Sequence, residues 1–300
     1  MRRTIRLLNH SCSSFWEGIQ TPSVVIDERI LSKNITSMQS IANRHQLKLR
    51  PHVKTHKCIE IAKKQINAGA IGVTCSKVDE ACVFIKEGMD CFIAYPVVCQ
   101  RQLKKLFDTI RKYSSMEKFC IMVDSMAVAD ALVEASRTNN IRETIKVVIK
   151  VDVGLHRCGV QPGDDLLELA KYITSLPDLS LQGICSHAGQ AYSALGWSDC
   201  VDIANNESVL MRSCTEMLSS NGVQCSLVSV GSTLTELARS DFKDLNEIRP
   251  GNYVFYDTTP LRLDLISYAD IALTVLATVI SVNDQYAIID SGSKTLSSDM

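Results

Sequence analysis

An α/β fold, and within it a (β/α)8 TIM barrel, is what the sequence predicts, on three observations. From residue 47 onward, short β-rich runs alternate with helix-length amphipathic segments, the pattern of a parallel sheet wound by helices. The alternation repeats eight times over about 200 residues, which suits such a barrel in count and length. Polar and glycine-bearing residues gather just after the runs, where barrels of this kind carry their sites.

Taken in order, Ser23-Val24-Val25-Ile26-Asp27 reads as a strand ahead of the barrel, and about Glu28 to Arg44 as a helix. The eight barrel strands are expected to end at Lys54, Cys75, Tyr95, Asp124, Asp152, His187, Val230 and Arg249. Helical patterns fall between them at Cys58 to Asn67, Val78 to Lys86, Gln100 to Tyr113, Val128 to Arg137, Asp164 to Ser175 and Asp199 to Ser220. The eighth unit has the weakest signal, because Glu247-Ile248-Arg249 is short and Pro250 follows at once. Beyond it, Thr274 to Val282 and Tyr286 to Asp290 read as two strands joined by the turn-like Asn283-Asp284, expected to pair with one another in a β-rich lobe. The expected organisation is an N-terminal extension over 1–20 and a strand and helix leading into the barrel over 21–45, the strand pairing with the β-domain. The barrel spans 46–265, and an incomplete C-terminal β-domain begins over 266–300. Two or three strands are too few for an independent sheet, so the chain reads as a fragment.

Composition excludes some functions. The 32 basic and 33 acidic residues nearly balance and are scattered, which is unlike the basic field that nucleic-acid phosphates require. The longest apolar stretch, Ile271 to Val282, is shorter than the roughly 18 residues of a membrane span. Arg2 and Arg3 resemble the start of a signal peptide, but only Ile5, Leu7 and Leu8 follow before polar residues resume. The 12 cysteines include no C-x-x-C pair and sit mostly in apolar segments, as reduced, buried thiols of a cytoplasmic protein do. The expected partner is a small molecule, with no nucleic acid and no membrane.

The chemistry gathers around Arg50-Pro51-His52-Val53-Lys54-Thr55-His56-Lys57. In a strand alternate residues share a face, so Arg50, His52 and Lys54 are expected to point one way. A lysine beside other cations loses its proton more easily and becomes a nucleophile toward carbonyls. Asp152 to Gly159, Ser186 to Tyr192, Gly231-Ser232-Thr233 and Arg249-Pro250-Gly251-Asn252-Tyr253 follow strands five to eight. The glycine turns after the last two strands are where barrels commonly seat a phosphate, with Ser232, Thr233, Asn252 and Tyr253 as donors beside Gly231 and Gly251. A lysine nucleophile and a phosphate cradle together suggest pyridoxal phosphate. Arg157 would then stabilise its phenolate oxygen, and His187 would stack on the ring or relay a proton. Each residue has a plainer alternative: Lys54 a surface charge, His187 a structural histidine, Arg157 a partner of Asp152. His52 and His56 are four apart, but no glutamate completes H-E-x-x-H and Pro51 favours extended backbone, so no zinc site is expected there.

These motifs resemble the D-threonine aldolase and eukaryotic-type D-serine dehydratase family, fold-type III pyridoxal phosphate enzymes with a barrel of the alanine racemase N-terminal type. The resemblance runs over nearly the whole chain, from Thr21-Pro22-Ser23 through Val151-Asp152-Val153-Gly154, Arg157-Cys158-Gly159, His187-Ala188-Gly189 to Tyr192, Gly231-Ser232-Thr233 and Arg249 to Tyr253, to Tyr256-Asp257 and Asp290 to Lys294. It implies that Lys54, not Lys57, forms the Schiff base with the cofactor. It implies also that His52, Tyr192, Thr233, Gly251 and Asn252 bind the cofactor and that Arg157 and Arg249 contact its ring. The family carries a divalent metal, manganese or zinc, in its C-terminal lobe, held by a histidine and a nearby cysteine or aspartate. No histidine follows His187 here, so those ligands are expected beyond residue 300. Leu234 stands where the family often has proline, and Cys185 where relatives carry a tyrosine. The implied activity is retro-aldol cleavage of a D-β-hydroxy amino acid to glycine and an aldehyde. D-Serine dehydration, racemisation, or cofactor binding without turnover are the alternatives, and a homodimer is the implied assembly.

Overall fold

The computed structural model describes residue 16 and residues 18–296. Expectations for the start of the N-terminal extension, including Arg2, Arg3 and Cys12, lie outside the described residues. The chain opens with β1 (Ser23–Ile26) and α1 (Glu28–Arg44). Asp27 starts this helix by accepting hydrogen bonds from the Arg29 and Ile30 amides. Leu31, Ile35, Met38 and Ala42 recur at helical spacing and are buried against the barrel.

Eight parallel strands follow: β2 (Lys48–Leu49), β3 (Val73–Cys75), β4 (Cys91–Ile93), β5 (Phe119–Val123), β6 (Ile145–Lys150), β7 (Leu179–Cys185), β8 (Leu227–Val230) and β9 (Glu247–Ile248). Between them lie α2 (Ile59–Asn67), α3 (Val78–Lys86), α4 (Gln100–Tyr113), α5 (Met126–Thr138), α6 (Asp164–Ser175), α7 (Trp197–Ser220) and the short α8 (Thr233–Ala238). The sheet order is β2-β9-β8-β7-β6-β5-β4-β3. Its two ends meet where His52 bridges Thr74, the Ile71 amide donates to the Leu49 carbonyl at 2.9 Å and the Thr74 amide donates to the Pro51 carbonyl at 2.7 Å. The barrel therefore closes. Its strands are near-continuous apolar runs because both faces are covered. α4 shows the outer layer's logic, with Leu103, Leu106, Phe107 and Ile110 buried on one stripe.

The first strand is shorter than expected. β2 stops at Leu49, and Lys54 lies in a 3₁₀ turn over Val53–Thr55 rather than on a strand. Pro51 has no N–H to continue the ladder, and the His52 ring caps the turn by accepting from the Lys54 amide at 3.4 Å. The short eighth strand persists as β9 because its hydrogen bonding runs on, with the His52 amide donating to the Pro250 carbonyl at 3.0 Å.

After α9 (Thr258–Arg262) come β10 (Leu273–Leu276), β11 (Val279–Val282) and β12 (Ala287–Ile289). The run expected as one strand from Thr274 is thus two. β10 pairs antiparallel with β1, and β11 with β12. The corner at Thr278 is held by Asp290, whose Oδ1 accepts from the Thr278 amide at 2.9 Å, so the chain turns and leaves β10 to the free edge of β1. The Asn283 side chain closes the β11–β12 hairpin by accepting from the Gln285 and Tyr286 amides. No described helix is long and apolar enough to cross a membrane, and the eleven described cysteines are free.

Candidate active site

The carboxyl ends of the strands open into a cleft. His52, Lys54, Arg157, His187, Tyr192, Gly231, Ser232, Thr233, Arg249, Gly251 and Asn252 line it. The structure therefore brings together every sequence-predicted site residue except Tyr253. That tyrosine is fully buried, and its hydroxyl accepts a hydrogen bond from the Gln65 amide group at 2.9 Å. The 3₁₀ turn over Asn252–Val254 turns its ring down toward α2 while Gly251 and Asn252 face the cleft.

Lys54 is solvent-accessible within the cleft and makes no hydrogen bond through its amine among the described residues. Desolvation, then the charge of Arg157, lowers its pKa below that of a free lysine. Lys57 is different. Its Nζ donates to the Lys54 carbonyl at 2.7 Å, which points it away from the cleft. Arg157 is exposed at the cleft's lip without a carboxylate. The alternative of a pair with Asp152 is excluded, because Asp152 accepts from the Gly154 and His156 amides and sits 2.9 Å from the His156 ring.

His187 follows β7 and its Nδ1 donates to the Gly231 carbonyl at 3.3 Å. Burial, reinforced by Lys150 and Lys54, pushes its pKa down to about 3. It is neutral near pH 7, with Nε2 left as an acceptor. His52 is likewise held well below the usual histidine range by burial and then by Lys54. His56 turns away from His52: its Nδ1 accepts from the Cys58 amide at 3.0 Å and its Nε2 pairs with Gln65 at 3.2 Å.

On the neighbouring wall, next to the turn that carries Lys54, the turns after β8 and β9 touch, the Gly251 amide donating to Thr233 Oγ1 at 3.3 Å. Gly231 has φ +104°, and a Cβ there would lie 2.2 Å from Glu236 Oε1. Only glycine fits. Beneath this wall a buried trio holds the loops in place. Glu207 Oε1 accepts from Ser186 Oγ at 2.7 Å and the Ala188 amide at 3.1 Å, and Arg239 Nη2 donates to Glu207 Oε2 at 2.6 Å and Glu236 Oε1 at 2.9 Å. Arg249 donates to Ser229 Oγ and to the Ser186 carbonyl, so its guanidinium is locked.

A family model, alanine racemase N-terminal domain, matches residues 26–259. The chain belongs to that family. Its relatives are fold-type III pyridoxal phosphate enzymes. The chain is 34% identical over 285 residues to D-threo-3-hydroxyaspartate dehydratase of Delftia sp. (strain HT23), covering 94% of this chain and 73% of that protein. The solved structure of the same enzyme superposes with a TM-score of 0.85 at 33% identity, covering 94% and 74%. D-Serine dehydratase of Dictyostelium discoideum is 30% identical over 300 residues, covering 94% and 75%. The structure of D-threonine aldolase from Filomicrobium marinum gives a TM-score of 0.82 at 27% identity, covering 93% and 74%. This alanine racemase-like chain thus matches the fold expected of its sequence.

Sequence reasoning missed Thr55, Ala94, Met122, Lys150, Cys158 and Ser186, which also line the cleft. Lys150 had a signal: it is a lysine at the carboxyl end of the otherwise apolar run of β6, where barrel strands deliver functional groups. Arg50, expected to share a direction with His52 and Lys54, is absent from the cleft lining. It pairs lower in the barrel with Glu247 at 2.8 Å and with Asp90. Among the described residues no group of three His, Cys, Asp or Glu side chains is placed to hold a metal.

Proposed function

We propose that the protein is a pyridoxal phosphate-dependent lyase acting on D-β-hydroxy amino acids, with retro-aldol cleavage to glycine and an aldehyde as the first reading. The observation that carries it is the unpaired amine of Lys54 sharing one cleft with the Gly231–Thr233 and Gly251–Asn252 turns. The residues fit the cofactor, since unpartnered cations line the cleft and no carboxylate does. When bound, pyridoxal phosphate supplies an electron sink for the bonds at the substrate Cα. Lys54 would hold the aldehyde carbon and, once released, take or return a proton at Cα. The paired turns, with Thr233 and Asn252, would hold the phosphate, and Tyr192 would close its open side. Arg157 would face the phenolate oxygen and Arg249 the ring. Neutral His187 and His52 would pack against the ring without adding charge. A divalent metal, manganese or zinc, is proposed for the full activity; the described residues do not form its site.

Dehydration is the second reading, favoured by the two dehydratases among the relatives. Both reactions balance without an external oxidant: D-threonine gives glycine and acetaldehyde, and D-serine gives pyruvate and ammonia. A homodimer is proposed as the working assembly, and light scattering tests it. To test the function, purified protein with pyridoxal phosphate is offered D-threonine, D-serine and D-threo-3-hydroxyaspartate, with and without manganese or zinc, and their L-forms as controls. Glycine release supports the aldolase, and 2-oxo acid with ammonia supports the dehydratase. Alanine racemisation, or a visible cofactor band with no product from any substrate, overturns the lyase.

A further inference from the structure

Behind the Gly231 turn two carboxylates share one guanidinium. The side chains of Glu207, Glu236 and Arg239 have no exposed surface. Glu207 is fully served: its Oε1 accepts from Ser186 Oγ and the Ala188 amide, and its Oε2 from Arg239 Nη2 at 2.6 Å. Glu236 is not. Its Oε1 accepts from Arg239 Nη2 at 2.9 Å and from Nε at 3.3 Å, but its Oε2 is buried with no hydrogen-bond partner among the described residues. The remaining Arg239 nitrogen, Nη1, is taken by the Ala204 carbonyl and Ser208 Oγ. No other charge around the trio makes up the deficit. Asp241, which feels Arg239, is paired with Arg212 at 2.7 Å. Lys150 on β6 acts on Glu207. His187 on β7, whose Nδ1 donates to the Gly231 carbonyl, is neutral.

One cation does not neutralise two anions in a dry interior, and the excess charge is removed when the carboxylate with fewer donors holds a proton. That carboxylate is Glu236. Burial, reinforced by Glu207, raises its pKa against the pull of Arg239, whereas Glu207, despite its burial, is held low by Arg239 and Ser186. Position gives the proton its meaning. Glu236 belongs to α8, which starts from the Ser232 cap, and its carboxyl packs against Gly231, where a Cβ would stand 2.2 Å from Oε1. Ionised, it would set a buried negative charge behind the turn assigned to the cofactor phosphate. We propose that Glu236 is a positioning residue of the phosphate seat that works as a neutral acid, its protonated carboxyl supporting the Gly231 turn without repelling the phosphate. This rests on the cofactor assignment made under the proposed function.

Glu236→Gln keeps the shape of the neutral acid and so separates the proton from the packing. In the infrared spectrum of the cofactor-free protein near neutral pH, the parent is expected to show the carbonyl stretch of a buried, protonated carboxylic acid, and Glu236→Gln to lack it. Melting against pH gives the sign. An acid whose folded pKa is raised above its unfolded value, about 4.3 for glutamate, contributes stability that is fully present below that value and is lost as pH rises through the folded one. The melting temperature of Glu236→Gln minus that of the parent should therefore grow as pH rises above about 4.3; an ionised Glu236 would leave the difference flat there. At the seat itself, parent affinity for pyridoxal phosphate is expected to fall about tenfold below that of Glu236→Gln once Glu236 ionises on the alkaline side. Pyridoxal, which has no phosphate, should bind both proteins alike. Inorganic phosphate, measured by calorimetry on the cofactor-free proteins, repeats the comparison without the aldehyde. A missing infrared band or a flat melting difference overturns the neutral acid. Equal pH dependence of phosphate and pyridoxal phosphate binding in the two proteins, or an equal shift with pyridoxal, overturns the role at the seat. A parent that shows no visible band with pyridoxal phosphate, yet binds inorganic phosphate with the expected pH dependence, sinks the cofactor assignment and leaves this proposal standing.

Discussion

On the amino-terminal side of the barrel strands Arg50 is held by Glu247 at 2.8 Å and by Asp90, whereas on the carboxyl-terminal side Lys54, Lys150 and Arg157 line one cleft with no carboxylate among them. Both regions bury charge in the same scaffold. The first has its counter-charges in place: Glu247 is almost fully buried and also accepts from Ser229 Oγ at 2.5 Å. The second leaves its cations open, which folding alone does not favour. Paired charge serves the closure of the barrel, and unpaired charge at the strand ends is a demand for an anionic ligand.

Substitutions sharpen that contrast. The largest effect is expected at Lys54: Lys54→Ala should abolish the visible cofactor band and borohydride trapping, and lower turnover by about 10³-fold or more. Lys57→Ala, already turned away, should keep both; the reverse result breaks the comparison by moving the nucleophile. Next, Arg50→Met should cost about 3–5 kcal/mol in denaturant unfolding, because Glu247 is left buried without its partner. Cofactor affinity of the folded fraction should not change. Gly231→Ala forces a Cβ into Glu236 at positive φ and should cost about 1–3 kcal/mol while weakening cofactor binding.

Arg157→Met should leave stability within about 0.5 kcal/mol, since no partner is lost. It should also raise the pH at which Lys54 reacts with pyridoxal phosphate, because the Arg157 charge lowers the pKa of that amine. An unmoved pH profile would separate the two residues. The smallest effect concerns His187, held at about 3 when folded against about 6.5 unfolded. The unfolded chain binds the proton first, so the stability from this group is fully present above about pH 6.5 and is lost as pH falls toward 3. His187→Gln should therefore flatten the apo-protein's melting temperature against pH over that window.

Much of this was legible along the chain because it is local. The helices Glu28–Arg44, Val78–Lys86, Gln100–Tyr113 and Asp164–Ser175 lie where their periodicity puts them. The site residues were legible as a set because each follows a strand, and strand ends share one rim. Less legible was the fate of neighbours. Gly251 and Tyr253 are two residues apart, yet one lines the cleft and the other is buried against Gln65.

By itself the sequence determined the alternation of strand and helix, the lysine motif and the glycine turns, since these depend on spacing within a few residues. Tertiary structure alone decided that β10 leaves its neighbours for β1, that Arg50 meets Glu247 across 197 residues of chain, and that Lys150 faces the cleft without a partner. Those outcomes depend on which distant segments barrel closure brings within hydrogen-bonding reach, and local spacing carries no record of that distance.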